Sequence, residues 1–339
     1  MARHTIGAAL VVSGLAWAST AMAAKPAITE CDRLAAHPGD LRKVGDGIAW
    51  KNLVPETAVE ACRAAVKNNP KNPRLAYQLG RALEKAKAED EGVKWYEKAA
   101  QSGYPMAMYA LGNYYSDGQN GPRDIAQALR QFQKAGQAGE PDAYNSIGQL
   151  YENGTGVSKD MAEALVWYRK GIESGSAFAA YNLADAYASG NGVPQDKAEA
   201  AKYYRQAVAK GHASAAFRLA WMLSKGDGVP EDKVEAASLY RIAADKGDIY
   251  AMNNLGAMYD SGEGGLPRDN AMATEWFRKA ANGGHTLAMR NYAGILARRD
   301  DPTANAWFRK ASDAGDKEAL ALLHERMLRY APLLYDPFE

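Results

Sequence analysis

The sequence predicts an all-α chain, a solenoid of about seven stacked helix pairs closed by a cap at each end. Gly118, Gly154, Gly190, Gly226 and Gly262 recur every 36 residues. Gly103, Gly139, Gly175, Gly211 and Gly247 keep the same step, as do Asp124, Asp160, Asp196 and Asp232, with Asp269 following at 37. Three registers agreeing over five units define a repeat. A period of this length belongs to architectures whose units bury their apolar faces only against their neighbours.

The opening residues carry an export pattern: Arg3, an apolar stretch from Ile6 to Trp17, then Ala21-Met22-Ala23 as a small-x-small cleavage site. A signal peptide over residues 1–23 and a periplasmic or secreted mature chain are therefore expected. Twelve residues from 6 to 17 fall short of the roughly 18 that a spanning helix needs, so no stable membrane insertion is expected. Cys31 follows Ile28-Thr29-Glu30, which is not a lipidation box. Lys and Arg total 41 against 40 Asp and Glu, and this balance gives no electrostatic reason to expect nucleic acid as a partner. With 339 residues, 47% of them hydrophobic, the chain can bury a large apolar surface.

Cys31 and Cys62 are the two cysteines of the chain, both ahead of the repeats. In an oxidising compartment they are expected to form a disulfide, worth roughly 3.5 kcal/mol on the chain-entropy account of a loop of about 31 residues. Two buried free thiols are the alternative.

Each unit reads as two helices. In the first, Ala143, Ile147, Gly148 and Tyr151 stand at relative positions 0, 4, 5 and 8 and share one helical face. Position 5 stays small throughout (Gly80, Gly112, Gly148, Ala184, Ala220, Gly256, Ala293), which for glycine costs helix propensity and calls for the close approach of another helix. The second helix opens on Asp160-Met161-Ala162-Glu163, Asp196 to Glu199 and Asp232 to Glu235, three capping boxes, with Asp124 to Gln127 as a fourth. Its buried face carries Tyr96, Phe132, Tyr168, Tyr204, Tyr240, Phe277 and Phe308, each followed three positions on by Ala or Gly. These rings are expected to fill the space between successive pairs. The glycines at 103, 139, 175, 211 and 247 should stop the helix in the left-handed conformation, and the Gly-x-Gly loops such as 154–156 are read as helix stops as well.

The unit with Ala-Tyr-Asn-Leu-Ala-Asp-Ala-Tyr-Ala-Ser-Gly-Asn-Gly-Val-Pro-Gln-Asp-Lys-Ala-Glu-Ala from residue 180 resembles the Sel1-like repeat, a tetratricopeptide-related helix pair. The resemblance spans about residues 75–316 and implies a right-handed superhelix whose first helices line a concave surface. Residues 24–73 form an N-terminal cap segment, whose Glu56–Lys67 helix resembles a tetratricopeptide second helix. The solenoid then takes 74–316, and 317–339 provide a further first helix and a tail. Pro332 should end that helix, and Leu333, Leu334, Tyr335 and Phe338 are expected to fold back as a cap; a docking peptide that inserts into another molecule is the alternative.

Chemistry is hard to find. His37, His212, His285 and His324 have no metal-ligand spacing, and the Gly-x-Gly loops lack the strand and the Lys-Ser/Thr of a phosphate cradle. The repeated aspartates are explained by capping. His212 and His285 share a slot and read as polar turn residues. Catalytic residues, metals and cofactors are accordingly predicted to be none. Cysteine-rich relatives proposed to bind or cleave β-lactams staple every repeat, and this chain has no cysteine inside any repeat.

Positions 2, 3 and 6 of the first helix lie at about 200°, 300° and 240°, opposite the buried arc near 60°, and are the expected contact positions. They hold Tyr109 and Asn113, Asn145 and Gln149, then Tyr181 and Asp185. Phe217, Arg218, Trp221, Asn253 and Arg290 continue the series. Aromatic residues with polar and Arg neighbours are typical of interface hot spots; alternatively the position-2 aromatics are wedged between helices. The leading expectation is a non-enzymatic adaptor or regulator of the cell envelope that binds a protein or peptide in its groove. A glycan or peptidoglycan-fragment binder, stacking sugars on Tyr109, Tyr181 and Trp221, is the second, and a hydrolase is a distant third.

Overall fold

A computed structural model describes residues 27–118 and 123–330; the export segment 1–23 and the tail with Leu333, Leu334, Tyr335 and Phe338 lie outside the described residues. The described chain is all-helical. It begins with α1 (Glu30–Ala35), a 3-10 turn (Trp50–Asn52) and α2 (Pro55–Asn68). Seven helix pairs follow: α3 (Pro73–Lys85) with α4 (Glu89–Gln101), α5 (Pro105–Asp117) with α6 (Ile125–Gln137), and α7 (Asp142–Asn153) with α8 (Met161–Ser174). The series continues through α9 (Ala177–Ser189) with α10 (Lys197–Ala209), α11 (Ala213–Lys225) with α12 (Lys233–Asp245), and α13 (Ile249–Ser261) with α14 (Asn270–Asn282). It ends with α15 (Thr286–Arg298), α16 (Ala304–Asp313) and a lone α17 (Lys317–Tyr330), the additional first helix that the sequence predicts. Every first helix packs on its own second helix, and every second helix packs on the next first helix. The stacking of a solenoid follows from this order of contacts.

The seven aromatic side chains of the second helices are at most 3% exposed, but the rings do not sit between successive pairs as the sequence suggests. Tyr96, Phe132, Tyr168 and Phe277 lie over Gly80, Gly112, Gly148 and Gly256 of the first helix in their own pairs. A Cβ on Gly112 would stand 2.5 Å from Phe132 Cδ1, and one on Gly148 would stand 2.5 Å from Tyr168 Cε1. Neighbouring pairs meet through small residues instead, and a Cβ on Gly171 of α8 would reach Ala179 Cβ of α9 at 2.7 Å. The large side chain therefore spaces the two helices within a pair, and the small residue three positions on lets the next pair approach.

The cap at the start of the second helices also differs from the expected reciprocal box. Asp160, Asp196 and Asp232 accept from the N–H of Glu163, Glu199 and Glu235 at 2.8–3.0 Å. Their own N–H groups donate to carbonyls at the end of the first helix, Tyr151, Tyr187 and Leu223. That bond closes the turn between the helices and leaves the glutamate free for other partners. Glu163 accepts from Trp167 Nε1 at 2.8 Å, and Glu235 pairs with Arg205 of the preceding repeat at 2.9 Å. Among the described residues the reciprocal box occurs in α1, between Thr29 and Asp32.

The glycines at 103, 139, 175, 211 and 247 do take left-handed φ values, from +76° to +102°. In the Gly-x-Gly loops the first glycine stops the helix, and the second has another cause. A Cβ on Gly192 would stand 2.3 Å from Met161 Cγ of the preceding repeat, so the loop rests on the start of the helix before it.

The N-terminal segment is fastened to the first repeat. Cys31 and Cys62 are joined by a disulfide inside an apolar cluster with Leu75, Leu79 and Leu83 of α3. Asp32, buried, pairs with Arg74 at 2.9 Å and accepts from Gln78 Nε2 at 3.0 Å. Arg81 donates to the carbonyls of Ala35 and Ile48 at 2.9 and 2.8 Å. At the far end Ala319 and Leu323 of α17 bury against Phe308 and Leu296. No described helix is long and apolar enough to cross a membrane.

Candidate docking surface of the first helices

The inner layer is organised by a slot that follows the left-handed glycine after each second helix from α4 to α14: Tyr104, Glu140, Ser176, His212, Asp248 and His285. Ser176, His212, Asp248 and His285 cap the first helices by accepting a backbone N–H. His212 and His285 do so through Nδ1, at 3.2 and 3.1 Å. Their rings also stack, His212 on Tyr181 at 4.6 Å and His285 edge-on to Tyr250 at 4.7 Å. Burial lowers both imidazole pKa values, which keeps Nδ1 available as an acceptor. Glu140 is buried beside Asp142 and Asp40, and desolvation raises its carboxyl pKa to about 7.

The predicted contact residues divide into three groups. Asn145 and Asn253 are corrected outright, being 6% and 4% exposed. Asn182 Nδ2 donates to Asn145 Oδ1 at 2.7 Å and Asn291 Nδ2 to Asn253 Oδ1 at 3.0 Å, so these amides bond one first helix to the next. They are buried because successive first helices approach directly, which the isolated-helix angles ignore. Tyr109, Tyr181 and Phe217 are half-buried and pack against the aromatic of their own second helix, Phe132, Tyr204 and Tyr240, with centroids 5.7–6.0 Å apart. They are wedged within the helix pair. Asp185 accepts the Tyr204 hydroxyl, and Arg290 pairs with Asp316 at 3.3 Å and with Glu318.

Gln149 and Arg218 are exposed, Asn113 is half-buried, and Trp221 is 43% exposed. Trp221 lines a hollow of about 420 Å³ with Phe217, Tyr250, Leu287, Lys225 and Glu263. Tyr250 and Leu287 were not among the expected positions. Each stands one residue before the buried alanine of its helix, at about 260°, within the arc assigned to contact; the frame began one residue too late to include them. A second hollow, of about 350 Å³, opens at the N-terminal end between α3, α5 and the cap, lined by Trp50, Tyr77, Tyr109, Asn113 and Asp117 among others. Trp50 comes from the irregular cap, which no periodicity marks. Among the described residues no group of three His, Cys, Asp or Glu side chains converges as a metal site.

The Sel1 repeat model matches residues 73–104, 105–140, 141–176, 177–212, 213–248, 249–285 and 287–316. The chain is similar in structure to a protective antigen of uropathogenic Escherichia coli displaying an SLR fold, with a TM-score of 0.66 and 29% identity over 78% of this chain; it spans 58% of that antigen's chain. It is also similar to a Sel1 repeat protein from Oxalobacter formigenes, at a TM-score of 0.57 and 31% identity, covering 66% of this chain and 99% of that one. No curated protein matches it. With seven matched units following one another from residue 73 to residue 316, the chain belongs to the Sel1 repeat family.

Proposed function

We propose that the protein is a non-enzymatic scaffold that holds a partner protein or peptide against its first helices in the cell envelope. Sel1 and tetratricopeptide-like repeats generally mediate protein–protein interaction, and the observation that carries the reading here is the hollow around Trp221. Trp221, Tyr250 and Leu287 are 43%, 57% and 39% exposed and line one concavity with Phe217, rimmed by Lys225, Lys233 and Glu263. A cluster of exposed large apolar side chains inside a polar rim is the composition of a docking site. The export pattern of residues 1–23 and the Cys31–Cys62 disulfide support an oxidising location.

The test is in-cell photocrosslinking from residue 221, with residue 166, exposed on the second helix α8, as control. A discrete protein adduct at 221 that disappears with Tyr250→Ser and is absent at 166 is the expected result. Adducts of equal yield at both positions, or a glycan adduct in place of a protein, refute the proposal.

A further inference from the structure

We propose that the N-terminal hollow receives a cationic side chain, lysine or arginine, from the partner. As a part of the partner, this ligand rests on the docking role above; the preference for a cation rests on this hollow alone. The aromatic side chains of Trp50, Tyr77, Tyr96 and Tyr109 line it, with Met106 and Val93 completing the apolar surface. Three carboxylates, Glu84, Glu89 and Asp117, line it as well, and none forms an ion pair among the described residues. The one cation in the lining, Arg81, is 2% exposed, and its guanidinium is engaged by the cap carbonyls of Ala35, Ala36 and Ile48. The hollow therefore carries an excess of negative charge around π faces, the combination that attracts a desolvated cation.

Two further observations point to a ligand. Tyr77 is 3% exposed and lines the cavity, yet its hydroxyl makes no hydrogen bond among the described residues. The ring is buried while the hydroxyl oxygen stays accessible, open to a partner that enters the hollow. Elsewhere in the chain, tryptophan rings already carry a cation: Lys98 lies 4.7 Å from Trp95, Lys279 4.4 Å from Trp276 and Lys310 4.3 Å from Trp307. Within the hollow the Trp50 ring has Lys85 at 5.1 Å and Arg81 at 5.6 Å, and Tyr77, Tyr96 and Tyr109 have none. A volume of about 350 Å³ is at the small end for ligand sites and suits one long side chain, its methylenes against Met106 and Val93 and its charged head among the carboxylates.

The experiment titrates the full protein with N-acetyl-lysine amide, N-acetyl-arginine amide and the neutral N-acetyl-norleucine amide, following the Trp50 indole N–H resonance, assigned with Trp50→Phe. Saturable shifts with both cations are expected, with norleucine roughly tenfold weaker. Asp117→Asn and Glu89→Gln should each weaken the cations roughly fivefold, with unchanged melting, because neither side chain is buried. Equal binding of norleucine, the absence of saturable shifts with either cation, or unaltered affinity in both variants overturns the proposal. No partner protein is needed, so a failure of crosslinking at residue 221 leaves this titration standing.

Discussion

Replacing Glu140 by Gln should stabilise the protein at neutral and alkaline pH and leave it unchanged in acid. Glu140 is 6% exposed, with Asp142 and Asp40 close by, and desolvation followed by repulsion from Asp142 raises its pKa from 4.5 to about 7. Its carboxyl accepts the Asp142 N–H, a bond that a glutamine carbonyl oxygen can also accept. A carboxyl whose pKa is raised on folding holds its proton more tightly in the native chain than in the unfolded one. Stability is therefore full below pH 4.5 and falls as the pH rises toward 7. At 1.36 kcal/mol per pH unit, the interval corresponds to about 3 kcal/mol as an upper value. With about 2.1 cal/mol/K of unfolding entropy per residue, an array of roughly 300 residues melting as one unit would gain about 5 °C in Tm. A smaller cooperative unit would gain more.

The assay is a series of thermal melts of parent and Glu140→Gln from pH 4 to pH 9. His212 and His285 act with the opposite sign, because their pKa values are lowered on folding; their contribution is full above 6.5 and is lost as the pH falls below it. Both variants share that background, so the difference between the curves isolates Glu140. A difference that opens between pH 4.5 and 7 and then stays constant is the expected result. If the two proteins melt within about 1 °C of one another throughout, Glu140 ionises normally and its burial has no electrostatic cost.

Tyr204→Ala and Phe277→Ala should each cost about 3–5 kcal/mol, because each ring spaces its own helix pair; chemical denaturation showing a loss below about 1 kcal/mol would remove the rings from the core. Reducing the Cys31–Cys62 bridge should cost about 3.5 kcal/mol and loosen α3 as well as the cap, read as faster amide exchange at Leu75 and Leu79, and two free thiols in the purified protein would contradict it. Asp32→Ala leaves the Arg74 guanidinium buried without its carboxylate and should cost about 3–5 kcal/mol, which unfolding with and without reductant would separate from the bridge.

The repeat, its period, the helix pairing and the left-handed stops were legible in the sequence because each depends on spacing along one helix or one turn. Small residues at Gly112 and Gly148 announced a close approach, and the position of Lys317–Tyr330 as one more first helix followed from the same frame. Angles on an isolated helix also put Trp221 away from the buried arc, and it is 43% exposed. What the tertiary structure decided is which partner fills each face. The same position holds Asn145 and Asn253, which bond neighbouring first helices, and Tyr181 and Phe217, which wedge inside a pair; the residue type alone does not distinguish a contact with a neighbouring repeat from a contact with solvent. The buried Asp32–Arg74 pair and the hollow shared by Trp50 and Tyr109 join residues far apart in the chain, and no periodicity encodes them. Local chemistry specifies the unit, and the energy of stacking units and of docking an irregular cap sets which of its faces remain open to a partner.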